Sequence, residues 1–181
     1  MKRVVQGLKW ARRLASRPSG IPEGRARGAK LKGLQYERAL AKALGSRMLH
    51  GIWWEFEDSE GRGFCQTDFL GFARGFTVIL ECKYTWTEEA EEELRGLYVP
   101  VVSVALAKPL GSVLSVVVCK NLIKGLKRPI CDSLAEALET SYSGLSTPVW
   151  HHTGAVPLLR RSGATHLDLG AKAPILGAKA A

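Results

Sequence analysis

Cys65-Gln66-Thr67-Asp68-Phe69-Leu70-Gly71-Phe72, followed a few residues later by Thr77-Val78-Ile79-Leu80-Glu81-Cys82-Lys83-Tyr84, is the stretch that decides the fold. Phe64 to Phe72 and Phe76 to Tyr84 read as two strands, and Ala73-Arg74-Gly75 between them is a tight turn. Side chains alternate faces along a strand, so Glu81 and Lys83 project to one side and Cys82 to the other. The short turn makes the strands antiparallel neighbours, and Asp68 can approach Glu81 across the hairpin. Two carboxylates and an ammonium then converge. Charged residues in apolar strands are costly unless they are paired or bind a metal. Carboxylate oxygens suit Mg2+, which keeps waters and contacts phosphate oxygens, while a mobile lysine can act on attacking water or on developing charge. The same three residues are equally consistent with a structural ion pair.

Upstream, Leu31, Leu34, Leu40, Ala41, Leu44 and Met48 recur at helical spacing, and Gly45 marks the end of that helix. Ile52 to Glu57 alternates as a strand. Residues 1–16 suit a short basic helix, broken by the prolines and glycines after Arg17. Downstream, Thr85 or Thr87 can cap an acid-rich helix beginning near Glu88. Val99 to Ala107 and Val113 to Cys119 are β-branched runs that predict a pair of strands. Ser133-Leu134-Ala135-Glu136 is a capping box opening a further helix. Trp150-His151-His152 and Val156 to Arg161 suit one more strand or an ordered tail. This order predicts an α/β domain with a central mixed sheet flanked by helices. Three parts are expected: a basic arm over residues 1–29, the domain proper over 30–161 and a flexible tail over 162–181.

Net charge is +9, and its distribution is lopsided. Between Met1 and Gly33 the cations Lys2, Arg3, Lys9, Arg12, Arg13, Arg17, Arg25, Arg27, Lys30 and Lys32 face Glu23 alone. Such a block suits a polyanion, because each neutralised phosphate releases counterions; the bland alternative is a solvated tail. Lys120, Lys124, Lys127 and Arg128 form a second basic cluster, which Arg160 and Arg161 can extend. An anionic membrane is a weak rival, since Val4, Val5, Leu8, Trp10 and Leu14 make only a modest apolar face. No apolar run is long enough to span a bilayer and no secretory signal opens the chain, so a cytoplasmic protein without a membrane partner is expected. Cys65, Cys82, Cys119 and Cys131 lie far apart and read as reduced core residues.

Thr67-Asp68, twelve intervening residues, then Glu81-Cys82-Lys83 closing an apolar strand resembles the signature of the PD-(D/E)xK nuclease superfamily. This restriction-endonuclease-like group includes Holliday-junction resolvases and phage exonucleases. Thr67 stands at the motif's proline position. Glu37 lies on the preceding helix, where many members carry another acidic ligand, and the helix after Lys83 with its following strand fits the family's αβββαβ order. The resemblance spans roughly Gly33 to Cys119. It implies Asp68 and Glu81 as metal ligands, Lys83 as the catalytic lysine, Glu37 as an accessory ligand and the Cys82 carbonyl as a further donor. The implied activity is hydrolysis of DNA phosphodiester bonds with Mg2+ or Mn2+.

Other residues are less informative. Gln66 can touch DNA or face solvent, and Trp53 and Trp54 are expected to place one ring in the core and one on the rim. Trp86 and Tyr84 are better placed to meet substrate, although Tyr84 faces away from Lys83. Glu55 and Glu57 share a strand face and suit either extra ligands or a solvated row. His151 and His152 tempt a metal reading, yet neighbours on a strand point apart. Glu88 to Glu93 reads as a solvated helix face turned away from DNA. The expected function is a structure-selective DNA endonuclease, such as a junction resolvase or a phage recombination nuclease, with a homodimer in the resolvase case. Brevity and the lack of accessory domains suit a phage or mobile element. The alternative is a catalytically silent nucleic-acid-binding module.

Overall fold

The computed structural model describes residues 3–21, 27–144 and 147–153. Seven strands form one mixed sheet in the order β1-β2-β3-β4-β5-β7-β6. Strands β1 (Trp10–Arg13), β2 (Leu49–Asp58), β3 (Gly61–Ala73) and β4 (Phe76–Thr85) run as an antiparallel meander. Beyond it β5 (Val113–Asn121), β7 (Val149–His151) and β6 (Ile130–Cys131) continue in parallel. The predicted α/β class with a mixed sheet and flanking helices is present.

Helix α1 (Gly28–Leu44) forms where the leucine spacing places it, and Gly45 ends it with φ 57°. It packs with α4 (Leu134–Tyr142) over one face, burying Leu40, Leu44, Leu134 and Leu138 against Phe69, Val78, Leu80, Val116 and Val118. Ser133 caps α4 by accepting the Glu136 N–H at 3.2 Å, while the Glu136 carboxylate accepts from Asp132 N–H at 3.0 Å. The β3–β4 turn places both Arg74 and Gly75 at positive φ, the geometry a two-residue hairpin demands.

The other face is covered by one continuous helical rod: α2 (Glu88–Glu93), a π turn (Leu94–Tyr98) and α3 (Val99–Ala105). The expected strand at Val99–Ala107 is therefore wrong; most of that run is helix. Ala90, Leu94, Leu97, Val101 and Val102 form one buried stripe against the sheet, and burial of that stripe outweighs the β-propensity of valine. The next strand in the chain after this rod is β5, not the one expected near Val99.

Residues 1–16 were expected to be helical, and the structure instead gives Trp10–Arg13 as a sheet strand. The N-terminal segment is tied down by a defect in the rod. Pro100 has no N–H to offer the Gly96 carbonyl one turn before it, and that carbonyl accepts from Val5 N–H at 2.9 Å. Gly96 also admits Val4, which a Cβ there would approach to 3.1 Å. Arg3 pairs with buried Asp58, and Lys9 with Glu57. Among the described residues no helix is long and apolar enough to cross a membrane. The predicted strand at 156–161 and the tail over 162–181 lie outside the described residues.

Leu80, fully buried between α1 and the sheet, should be costly to truncate. Leu80→Ala is expected to lower unfolding free energy by about 2–5 kcal/mol in urea titrations, whereas Leu110→Ala, at a position 59% exposed, should change it by less than about 0.5 kcal/mol.

Candidate functional site

The β3–β4 ladder runs from Ala73/Phe76 to Phe69/Leu80 and then stops. Asp68 is the first residue past its end. Its Oδ2 accepts the Cys82 N–H at 2.7 Å, so a carboxylate serves a backbone donor that the ladder has released. On the opposite strand the facing position is Gly51, flanked in register by Ile52/Thr67 and His50/Phe69. Gly51 has φ +66°, and a Cβ there would lie 3.0 Å from Gln66 Nε2. Glycine thus permits the local kink in β2 against which Asp68 sits. Thr67 takes no part in the acidic cluster: its hydroxyl accepts the buried Trp54 indole N–H at 3.0 Å.

Glu81 and Lys83 share a face as predicted. Lys83 Nζ lies 2.7 Å from Glu81 Oε1 and 3.0 Å from Glu93 Oε2. Tyr98 on the π turn donates to Glu93 Oε1 at 3.4 Å. Glu81 is almost wholly buried, and its Oε2 has no hydrogen-bond partner. Burial raises the Glu81 carboxyl well above the usual range, and the neighbouring Asp68 charge adds to this. Asp68 is pushed up to about 7, chiefly by burial and then by Glu37, against the opposing Cys82 N–H and Lys83. For Lys83, burial pulls downward, but Glu81 and Glu93 outweigh it and the ammonium is held above its ordinary value. The lysine is charged at every physiological pH.

Glu37 on α1 faces the cluster and accepts from or pairs with His50 Nε2 at 2.7 Å. Asp68, Glu81, Lys83 and Glu37 are therefore brought to one end of the sheet. Among the described residues no three His, Cys, Asp or Glu side chains stand in ready ligand geometry. The donor set is nonetheless all oxygen, and the unpartnered Glu81 Oε2 beside Asp68 fits a hard divalent cation. Sequence reasoning missed Glu93, Tyr98 and His50. The solvated-face reading of Glu88 to Glu93 fails for Glu91 and Glu93, both buried. A signal was present for Glu93, which lies three residues after Ala90 and four before Leu97, within the core stripe.

The remaining candidates divide. The Cys82 thiol points away from Glu81, and burial followed by the nearby carboxylates raises it, keeping it protonated. All four cysteines are free. Trp54 is in the core and Trp53 on the rim, as expected, but Trp86 is buried in the core and does not face substrate. Tyr84 meets Tyr36 edge-on at 6.2 Å and carries Lys120 Nζ 5.6 Å above its ring. His151 bonds to the Lys120 carbonyl and His152 to Tyr36, so the two histidines diverge. Glu57 pairs with Lys9, and Glu55 with Arg12 and Arg62, away from the acidic cluster. Arg13, Arg27, Lys30, Lys32, Lys124 and Lys127 are exposed, whereas Arg128 is held by Glu91 at 2.5 Å. Arg25 lies outside the described residues. No protein-family model, curated protein or solved structure matches the chain.

Raised carboxyls have a sign that stability can report. Folded Asp68 holds its proton up to about 7, while in the unfolded chain it releases it near about 4. Between those values the native state binds the extra proton, so stability falls as pH rises through that window. In EDTA, Asp68→Asn is expected to flatten the decline between about pH 4 and 7, measured by urea unfolding; an unchanged slope would show that Asp68 titrates normally.

Proposed function

We propose that the chain is a metal-dependent nuclease with a restriction-endonuclease-like core that hydrolyses DNA phosphodiester bonds. One observation carries the reading: Asp68, Glu81 and Lys83 meet where β3 and β4 part, with Glu81 Oε2 buried and unpartnered. A purely structural ion pair gives no reason to bury Glu81 beside a second carboxylate, since the Asp68 charge raises its proton affinity. The αβββαβ order of elements is in keeping with the same reading.

Asp68 and Glu81 would hold Mg2+ or Mn2+, with Glu37 as an accessory ligand and the Cys82 carbonyl as a further donor. When bound, the ion acidifies a water and offsets charge on the scissile phosphate. Lys83 supplies a fixed positive charge beside that water, and Glu93 positions it by holding Nζ from the far side. The exposed cations Arg13, Arg27, Lys30, Lys32, Lys124 and Lys127 supply affinity for phosphates that weakens with salt. The substrate we favour is branched DNA, cut in the manner of a junction resolvase or phage recombination nuclease, with a homodimer making paired cuts.

The test is a labelled panel of single strand, duplex, flap and four-way junction, incubated with Mg2+, Mn2+ or EDTA. Cutting that requires metal is expected, with Glu81→Gln and Lys83→Ala each losing at least about 100-fold in rate. Paired symmetric nicks select the resolvase form. Salt-sensitive binding without cutting under any metal moves the assignment to a catalytically silent binding module.

Metal occupancy has its own readout. Because a ligand that binds only the native state stabilises it, Mn2+ is expected to raise the melting temperature of the wild type and not that of Asp68→Asn/Glu81→Gln. Equal shifts in both would place the ion elsewhere.

A further inference from the structure

Among the described residues, helices α1 and α4 cover only part of their face of the sheet. The core they bury draws on β3 from Phe69 onward and on β4 and β5, with nothing from β1 and only Met48, just before β2. The remainder of that face, formed by β1, β2 and the first half of β3, is lined by three cross-strand rows. Trp10, Glu57 and Arg62 are in register, then Arg12, Glu55 and Phe64, then Trp53 and Gln66. Rows on one face repeat about every 7 Å along the strands.

Arginine and aromatic side chains alternate across these rows. Arg12 lies 6.0 Å from the Trp10 ring, Arg62 5.5 Å from Phe64 and Arg17 5.6 Å from Trp53. Phe64 is 39% exposed, unusual for a phenylalanine within a strand. Glu55 is wholly buried beneath Arg12 and Arg62: it accepts Arg12 Nε–H at 2.7 Å and pairs with Arg62. A guanidinium has five N–H donors, so one buried carboxylate props both heads in place and leaves donors turned to solvent. Both arginine side chains remain more than half exposed. Three cations (Lys9, Arg12 and Arg62) stand against two carboxylates, Glu55 and Glu57, and both carboxylates are already paired.

We infer that this open face is a binding track for single-stranded DNA, with Phe64 and Trp53 as stacking platforms and Arg12 and Arg62 as phosphate contacts. Rings on this part of the sheet, each flanked by a guanidinium, can take the face of an unpaired base, which a duplex hides within its own stack. The fixed, exposed guanidiniums match phosphate oxygens. Direction comes from β3 itself, where Arg62, Phe64 and Gln66 precede Asp68, so Phe64 lies about 13 Å along the strand from the acidic cluster. In that last respect the inference rests on the nuclease reading and refines it: the substrate carries a single-stranded segment, as a flap or an opened junction does.

Binding can be measured apart from cutting. A fluorescein-labelled oligothymidylate is titrated with the full chain in EDTA and followed by anisotropy, beside the same strand annealed to its complement and beside oligouridylate. Single-stranded DNA is expected to bind most tightly. Phe64→Ala should weaken it roughly tenfold, Phe64→Tyr should keep the affinity, and Tyr142→Ala, an exposed ring on α4, should leave it unchanged. Thermal melts of each variant establish that it folds. Tighter binding of duplex or of oligouridylate, or wild-type affinity in Phe64→Ala, overturns the track. Cleavage is then assayed with Mg2+. Binding with the expected Phe64 dependence but no cutting removes the nuclease reading and leaves the track standing; cutting with no Phe64 dependence does the reverse.

Discussion

Lys83 Nζ sits between the Glu81 and Glu93 carboxylates at 2.7 and 3.0 Å, and Asp68 lies close enough to Glu81 to raise its proton affinity. Three acids and one cation at the end of a sheet leave an excess of negative charge in a place water reaches poorly. Such a cluster is stable only if a proton or a further cation relieves it. Much of the surrounding structure positions this conflict. The ladder stops just short of Asp68, Gly51 kinks the facing strand, and Tyr98 on the π turn holds Glu93 of α2, which pairs with the lysine.

A small defect in the rod has a large consequence for the sheet. Pro100 frees the Gly96 carbonyl, Val5 takes it, and the segment after Val5 is carried to the edge of β2. The cations expected to form a free arm are thereby partly consumed. Arg3, Lys9 and Arg12 pair with Asp58, Glu57 and Glu55. The basic surface that remains is patterned by the register of β1 against β2 rather than by the order of residues in a tail. That register also sets the arginines beside the tryptophan and phenylalanine rings.

Much of the site was legible because its residues are close in sequence and alternate within strands. Glu81 and Lys83 share a face by strand periodicity alone, and the two-residue turn forces Asp68 toward them. Helices α1 and α4 were readable from leucine spacing, a terminal glycine and a capping box. Glu93 was not assigned, because an acid in an acid-rich helix resembles its solvated neighbours until the helix is docked. Val99 to Ala105 misled for a related reason. Its β-branched residues favour a strand locally, and only packing against Leu70, Ile79 and Val117 makes the helix worth more.

By itself the sequence determined the hairpin, the pairing of Glu81 with Lys83, the leading helix and the α/β class, since these rest on periodicity and turn chemistry within some twenty residues. Only the tertiary structure decided that Trp10–Arg13 is a strand, that Glu93 holds Lys83, and that Glu55 lies buried under two arginines. Each of these joins residues at least seven positions apart through a contact whose free energy is gained only when the whole sheet has formed.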